Sequence, residues 1–142
     1  MTIARKPNCY WIYRLECDNG SYYTGYTNNL ARRFRLHFEG KANVRYTRSH
    51  PPVRIAQCWR LFDTIGTALK VEVLIKKKPR AIKDLLVEDP SQLVSLASKT
   101  LDRKLRIFTA DPSAVQNESL ALSNEQLKNG HDPFAGLAPE DM

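Results

Sequence analysis

The sequence predicts an α+β domain in which a β-hairpin and a third strand are set among amphipathic helices. Tyr10 to Cys17 and Ser21 to Tyr26 are rich in aromatic and branched residues and flank "DNG", which reads as a hairpin. "TNNLARRFRLHFEG" puts Leu30, Phe34 and Phe38 at i, i+4 and i+8, after an N-cap at Thr27, Asn28 or Asn29 and before a Gly40 stop. That spacing predicts a helix over roughly 28–39. "VRIAQCWRLF" alternates through Val53, Ile55, Trp59 and Leu61 as a third strand, and residues 65–78 follow with helical periodicity.

The remaining elements follow in order. "KANVRYTRSHPP" is basic and ends in two prolines, as an exposed loop does. The helix over 65–78 carries Lys70, Lys77 and Lys78 on its polar side, and Pro79 opens a short helix to about Val87. "EDPSQ" marks another start, with Asp89 as N-cap and Pro90 at the first position, and Leu93, Leu96, Ala97, Leu101 and Leu105 continue one face. From about Thr109 the chain is polar, punctuated by proline and poor in large apolar residues, so residues 109–142 are expected to be a disordered, slightly acidic tail. The division expected is a domain over 8–89, a helical extension over 90–108 and that tail.

At 142 residues the chain has room for one domain with a proper core but not comfortably for two. No apolar run approaches the roughly 18 residues of a membrane span, and the start lacks a signal-type apolar core, so a cytoplasmic location and no membrane partner are expected. Cys9, Cys17 and Cys58 form an odd set without zinc-site spacing and read as reduced packing thiols. Residues 1–90 hold 17 Lys and Arg against 8 Asp and Glu, whereas residues 91–142 hold 5 against 7. The basic excess therefore sits in the folded part and suits a polyanionic partner.

Three groupings could carry chemistry. In the second helix, Ile65, Ala68, Leu69, Val73 and Ile75 define an apolar sector with Glu72 near its middle. A carboxylate there needs a partner, and an ordinary i, i+4 pair with Lys76 accounts for it as readily as a cleft does. Arg33 and His37 lie one turn apart on the first helix; the guanidinium can fork onto a phosphate and the imidazole can move a proton near neutral pH. A solvated flank is the plainer reading of that pair.

The hairpin is the third grouping, and its loop length decides its meaning. A two-residue loop pairs Asp18 with Ser21 and sends Tyr13 and Tyr23 to opposite faces. A three-residue loop with Gly20 at positive φ pairs Leu15 with Tyr23 and Tyr13 with Gly25, so both phenols share one face. Gly25 would then leave the space beside Tyr13 open. The sequence accommodates either loop.

"WIY" at 11–13 and "YTG" at 23–25, followed by "NNLARRFRLH" and "ALKVEVLIKK", resemble the GIY-YIG nuclease family, in particular its small stand-alone bacterial members. The likeness covers about residues 8–89, including "GK" at 40–41 and "YTR" at 46–48. It implies a three-stranded antiparallel sheet flanked by helices. It also implies divalent-metal-dependent hydrolysis of phosphodiester bonds, as endonuclease or exonuclease, usually with Mg²⁺ and with Mn²⁺ as an alternative. Position by position, Tyr13 and Tyr23 match the two motif tyrosines, Arg33 the helix arginine and His37 its partner one turn on. Glu72 matches the metal-ligating carboxylate. Trp11 stands where the first motif usually has glycine, and no late asparagine can be placed.

The expected substrate is DNA, in repair, recombination or uptake. Single strands, ends or branched structures are favoured because no zinc-finger spacing is present to read a long sequence. RNA stays open as an alternative. In the basic loop, Lys41, Arg45, Tyr46 and Arg48 are candidates to hold or stack on a strand, with an ordinary basic surface as the equal reading. Trp11 and Trp59 are expected in the core. The competing functional class is a nucleic-acid-binding module that keeps the fold without useful activity. A further expectation is that the tail docks a protein partner.

Overall fold

The computed structural model describes residues 9–137. In chain order these form β1 (Cys9–Cys17), β2 (Tyr22–Thr27), α1 (Leu30–Phe38), α2 (Arg45–Ser49), β3 (Pro52–Phe62) and α3 (Ile65–Lys77). Then come α4 (Arg80–Glu88), α5 (Gln92–Thr100), β4 (Ile107–Ala110), α6 (Pro112–Ala121) and α7 (Asn124–Lys128). The architecture is α+β, with an antiparallel sheet in the order β2-β1-β3-β4 flanked by helices.

The "DNG" loop has three residues. Gly20 takes φ +80°, its N–H donates to the Cys17 carbonyl at 2.9 Å, and the Cys17 N–H donates to the Ser21 carbonyl at 2.8 Å. Only a residue without Cβ adopts that φ freely, so the loop length follows from the glycine. Tyr13 consequently pairs with Gly25 and Leu15 with Tyr23.

Alternation along β1 splits the core in two. Trp11, Tyr13 and Leu15 pack with Leu30, Ala31 and Phe34 of α1, whereas Ile12 joins Ala68, Val71 and Ile75 of α3 on the other face. Between β1 and β3 the register slips from Arg14 opposite Gln57 to Leu15 opposite Ile55, leaving Ala56 as the extra residue of a bulge. That bulge corrects the simple alternation expected for β3: Ile55 faces α1, Trp59 and Leu61 face α3, and Val53 is exposed.

Other boundaries differ for identifiable reasons. The basic stretch expected as loop contains the short helix α2, tied to the hairpin turn through Tyr46, whose hydroxyl contacts Ser21 and accepts from Asn19 Nδ2 at 3.3 Å. Asp89 ends α4 rather than capping α5; its carboxylate accepts from Gln92 Nε2 at 3.0 Å, and Ser91 takes the cap position. The helix after it stops at Thr100 because Asp102 turns to φ +53°, so Leu105 reaches the core from a turn instead of a continued helical face. Trp11 and Trp59 are buried, as expected, and all three cysteines are free thiols.

The largest correction concerns residues 109–142, of which 138–142 lie outside the described residues. In place of a disordered tail, Ile107–Ala110 adds a fourth strand to β3, and two capped helices follow. Asp111 accepts from the Ser113 N–H at 3.0 Å with Pro112 at the first helical position, and Ser123 and Gln126 form a capping box. Val115, Leu122 and Phe134 complete the α1-side core, with Phe134 edge-on to Trp11 at 5.5 Å between centroids. Arg35 of α1 donates to the Leu122 and Ser119 carbonyls at 2.8 and 3.2 Å, closing the end of α6. The segment expected to be free for docking a partner is thus folded, through residue 137, against α1 and β1.

Candidate active site

The hairpin register sets Tyr13 and Tyr23 on one face, their rings 6.4 Å apart, and α1 brings His37 between them at 5.9 and 5.1 Å. Four residues earlier on α1, Arg33 points into the same cleft from the turn above. Its Nη1 donates to the Ala42 carbonyl at 3.4 Å, which anchors it to the loop before α2. The cleft measures about 380 Å³, and Tyr13, Tyr23, Gly25, Arg33 and Glu72 line it.

Glu72 comes from α3, whose buried face differs from the expected sector. Thr67, Ala68, Val71, Glu72 and Ile75 point inward, while Ile65 and Leu69 are 55% and 45% exposed. The helix is rotated so that Glu72 lies at the edge of its buried face, 8% exposed. Its Oε1 accepts from Lys76 Nζ at 2.7 Å, and the Lys76 ammonium sits 5.9 Å from the centroid of the Tyr23 ring. Both readings of Glu72 therefore hold together: it has an i, i+4 partner, and it faces the cleft.

Gly25 does not leave an open space. A Cβ there would lie 2.5 Å from the Tyr13 hydroxyl oxygen and 2.6 Å from its ring carbon Cζ. The phenol occupies the room that a side chain would need, so glycine at this position lets the ring lie against the strand.

Tyr13, His37 and Thr47 form a buried hydrogen-bonded chain. The Tyr13 hydroxyl and His37 Nε2 are 3.0 Å apart, and His37 Nδ1 lies 3.0 Å from Thr47 Oγ1. Thr47 Oγ1 in turn donates to the Val44 carbonyl at 3.4 Å. A hydroxyl has one proton, so Thr47 accepts from Nδ1–H; neutral His37 then accepts from Tyr13 at Nε2. Burial, reinforced by the Arg33 guanidinium, pushes His37 down to about 4, so the imidazole is neutral at pH 7. Burial also lifts the Tyr13 phenol well above its ordinary range, with Arg33 pulling the other way. Thr47 is absent from the residues singled out in the sequence. It is the buried member of α2, and only the packing of α2 under His37 distinguishes it from its exposed neighbours Tyr46 and Arg48.

The cleft thus gathers Tyr13, Tyr23, Arg33 and Glu72, with His37 directly behind Tyr13. The basic-loop candidates Lys41, Arg45, Tyr46 and Arg48 are exposed and do not line it. Among the described residues no three His, Cys, Asp or Glu side chains converge as a metal cage. Glu72 is a single hard oxygen donor beside open cleft volume, a set that fits a Mg²⁺-type ion completing its shell with waters and substrate oxygens.

Comparison with known proteins places these features in context. The GIY-YIG catalytic domain family matches residues 9–84. A UPF0213 protein of Xanthomonas campestris pv. campestris is 44% identical over 77 residues, covering 54% of this chain and 74% of the relative. One from Bacillus licheniformis is 38% identical over 86 residues, covering 59% of this chain and 84% of the relative. The solution NMR structure of a UPF0213 protein from Bacillus halodurans is 38% identical, covers 56% of this chain and 83% of that one, and aligns with a TM-score of 0.38. With over half its length matched to that domain, both motif tyrosines included, the chain belongs to the GIY-YIG family.

Proposed function

We propose that the protein is a phosphodiesterase that cuts DNA, favouring single strands, ends or branched structures, and that it works with one divalent metal ion. The observation that carries this reading is the convergence of Tyr13, Tyr23, Arg33 and Glu72 on one cleft with a proton acceptor behind Tyr13. Hydrolysis must orient a water, take its proton and stabilise charge around phosphorus. Arg33 forks onto a non-bridging oxygen and holds the phosphate against the β2 wall. A buried phenol is protonated at neutral pH and cannot wait as phenolate, so the base is a relay. As the water attacks, its proton passes to the Tyr13 oxygen while the Tyr13 proton passes to His37 Nε2; the P–O bond to the leaving oxygen breaks as the new one forms, and the departing alkoxide takes a proton from solvent. Thr47 holds the ring in the accepting tautomer, and Tyr23 packs against both groups. Glu72 would hold Mg²⁺ or Mn²⁺, which when bound supplies charge neutralisation at the leaving oxygen.

A second reading is a nucleic-acid-binding module of the same fold without useful activity. It is favoured by one observation: among the described residues Glu72 is the sole carboxylate lining the cleft, and it is already satisfied by Lys76. Incubating the purified chain with 5′- and 3′-labelled single-stranded, duplex and branched DNA, and with RNA, with and without Mg²⁺ or Mn²⁺, separates the two. The nuclease reading expects metal-dependent products from DNA. Binding with no cleavage of any of these substrates leaves the binding module.

A further inference from the structure

The cleft does not end at Arg33. A second trough, about 480 Å³, shares Asn28, Asn29 and Arg32 with it and continues to Lys128, Asn129, Gly130 and Asp132. Those last four residues lie beyond the span 9–84 that matches the family, so this wall is supplied by the chain's own extension. Asn29 fixes the junction with both ends of its amide. Its Oδ1 accepts from the Arg32 N–H at 3.1 Å as the cap of α1, and its Nδ2 reaches the Gly130 and His131 carbonyls at 3.4 and 3.5 Å. The turn it grips is itself closed. Gly130 stands at φ +73° and donates to the Leu127 carbonyl at 3.1 Å, and the His131 N–H donates to the Gln126 carbonyl at 2.9 Å, the Schellman arrangement.

We propose that this trough is a second subsite for the sugar–phosphate backbone of a DNA strand whose scissile phosphate lies at Arg33. It rests on the strand-cutting reading of the main cleft. Arg32 and Lys128 are exposed cations on its two walls, and among the described residues neither is in an ion pair. They alternate with Asn28, Asn29 and Asn129, the mixture of guanidinium, ammonium and amide donors that positions a phosphate backbone without reading bases. Among the described residues Asp132 is the one carboxylate on the lining, set against the two cations. The extension therefore lengthens the strand footprint, and a long strand gains over a dinucleotide.

The test uses the full chain with Lys128→Glu and Lys128→Ala, substitutions at an exposed position whose folding is checked by thermal denaturation. Affinity for a fluorescent oligothymidylate, measured across a salt series in Ca²⁺, is compared with the rate of hydrolysis of a dinucleotide in Mg²⁺. The expected result is an affinity loss of about fivefold for Lys128→Ala and about tenfold for Lys128→Glu at low salt, with the salt slope shallower by about 0.7. Dinucleotide hydrolysis is unchanged in both variants. Wild-type affinity and slope in Lys128→Glu, with the wild-type chain still cutting DNA, overturn the subsite and leave the main cleft standing. A wild-type chain that binds and cuts no strand overturns both.

Discussion

Gly25→Ala tests whether the placement of Tyr13 is what the hairpin exists to provide. The added Cβ would sit 2.5 Å from the phenolic oxygen and 2.6 Å from Cζ. Ordinary carbon contacts begin near 3.5 Å, so the ring must retreat by about 1 Å. Tyr13 has nowhere easy to go, since it is buried against Leu30 and Phe34 and bonded to His37 at 3.0 Å. Overpacking of this kind costs about 1–3 kcal/mol, and a displacement of about 1 Å at a reacting group costs about 100-fold in rate. The variant should therefore unfold at lower denaturant concentration and lose about 100-fold in kcat on a labelled strand, with KM moving little. Tyr13→Ala removes the obstacle, so the double variant should be more stable than the sum of the two single changes predicts. A Gly25→Ala protein with wild-type stability and rate would refute the packing argument.

Other consequences follow from the same geometry. Thr47→Val removes the hydroxyl that selects the His37 tautomer and should lower kcat about tenfold, whereas Thr47→Ser restores it; a purely structural role would move stability without this rescue. His37 titrates at about 4 when folded against an ordinary 6.5, so the unfolded chain binds its proton first as pH falls. Stability is then fully present above about pH 6.5 and declines towards pH 4, by up to about 3 kcal/mol, and His37→Gln should flatten that part of the denaturation profile. Lys76→Met keeps the aliphatic stem near Tyr23 but frees Glu72, so a Mg²⁺ titration of cleavage should reach half-saturation at several-fold lower concentration.

How far the sequence could be read depended on where the information lay. The hairpin, α1, β3 and α3 announce themselves through period and punctuation, and the family motifs single out Tyr13, Tyr23, Arg33, His37 and Glu72. The sequence leaves the loop length after Cys17 open because "DNG" suits two or three residues; the φ of Gly20 resolves it. Hydropathy does not reveal the buried face of α3 because apolar residues nearly encircle the helix, and contact with Ile12 and Trp59 selects Val71 over Leu69. The ordered extension is hidden in the sequence for a different reason. Its caps were legible in "ADPS" and in Ser123 with Gln126, but its few apolar residues looked insufficient for a core. They need not form one: Val115, Leu122 and Phe134 add to the core already built by Trp11, Leu30 and Phe34. Thr47 stands out in no motif because it meets His37 only through the packing of α2.

The most direct measurement of the central claim is cleavage of an end-labelled DNA strand by wild type and Glu72→Gln across a Mg²⁺ series, with strand binding followed in parallel. The account predicts products that require Mg²⁺ in the wild type, their loss in the variant, and similar binding by both. Equal cleavage by the two proteins would contradict it.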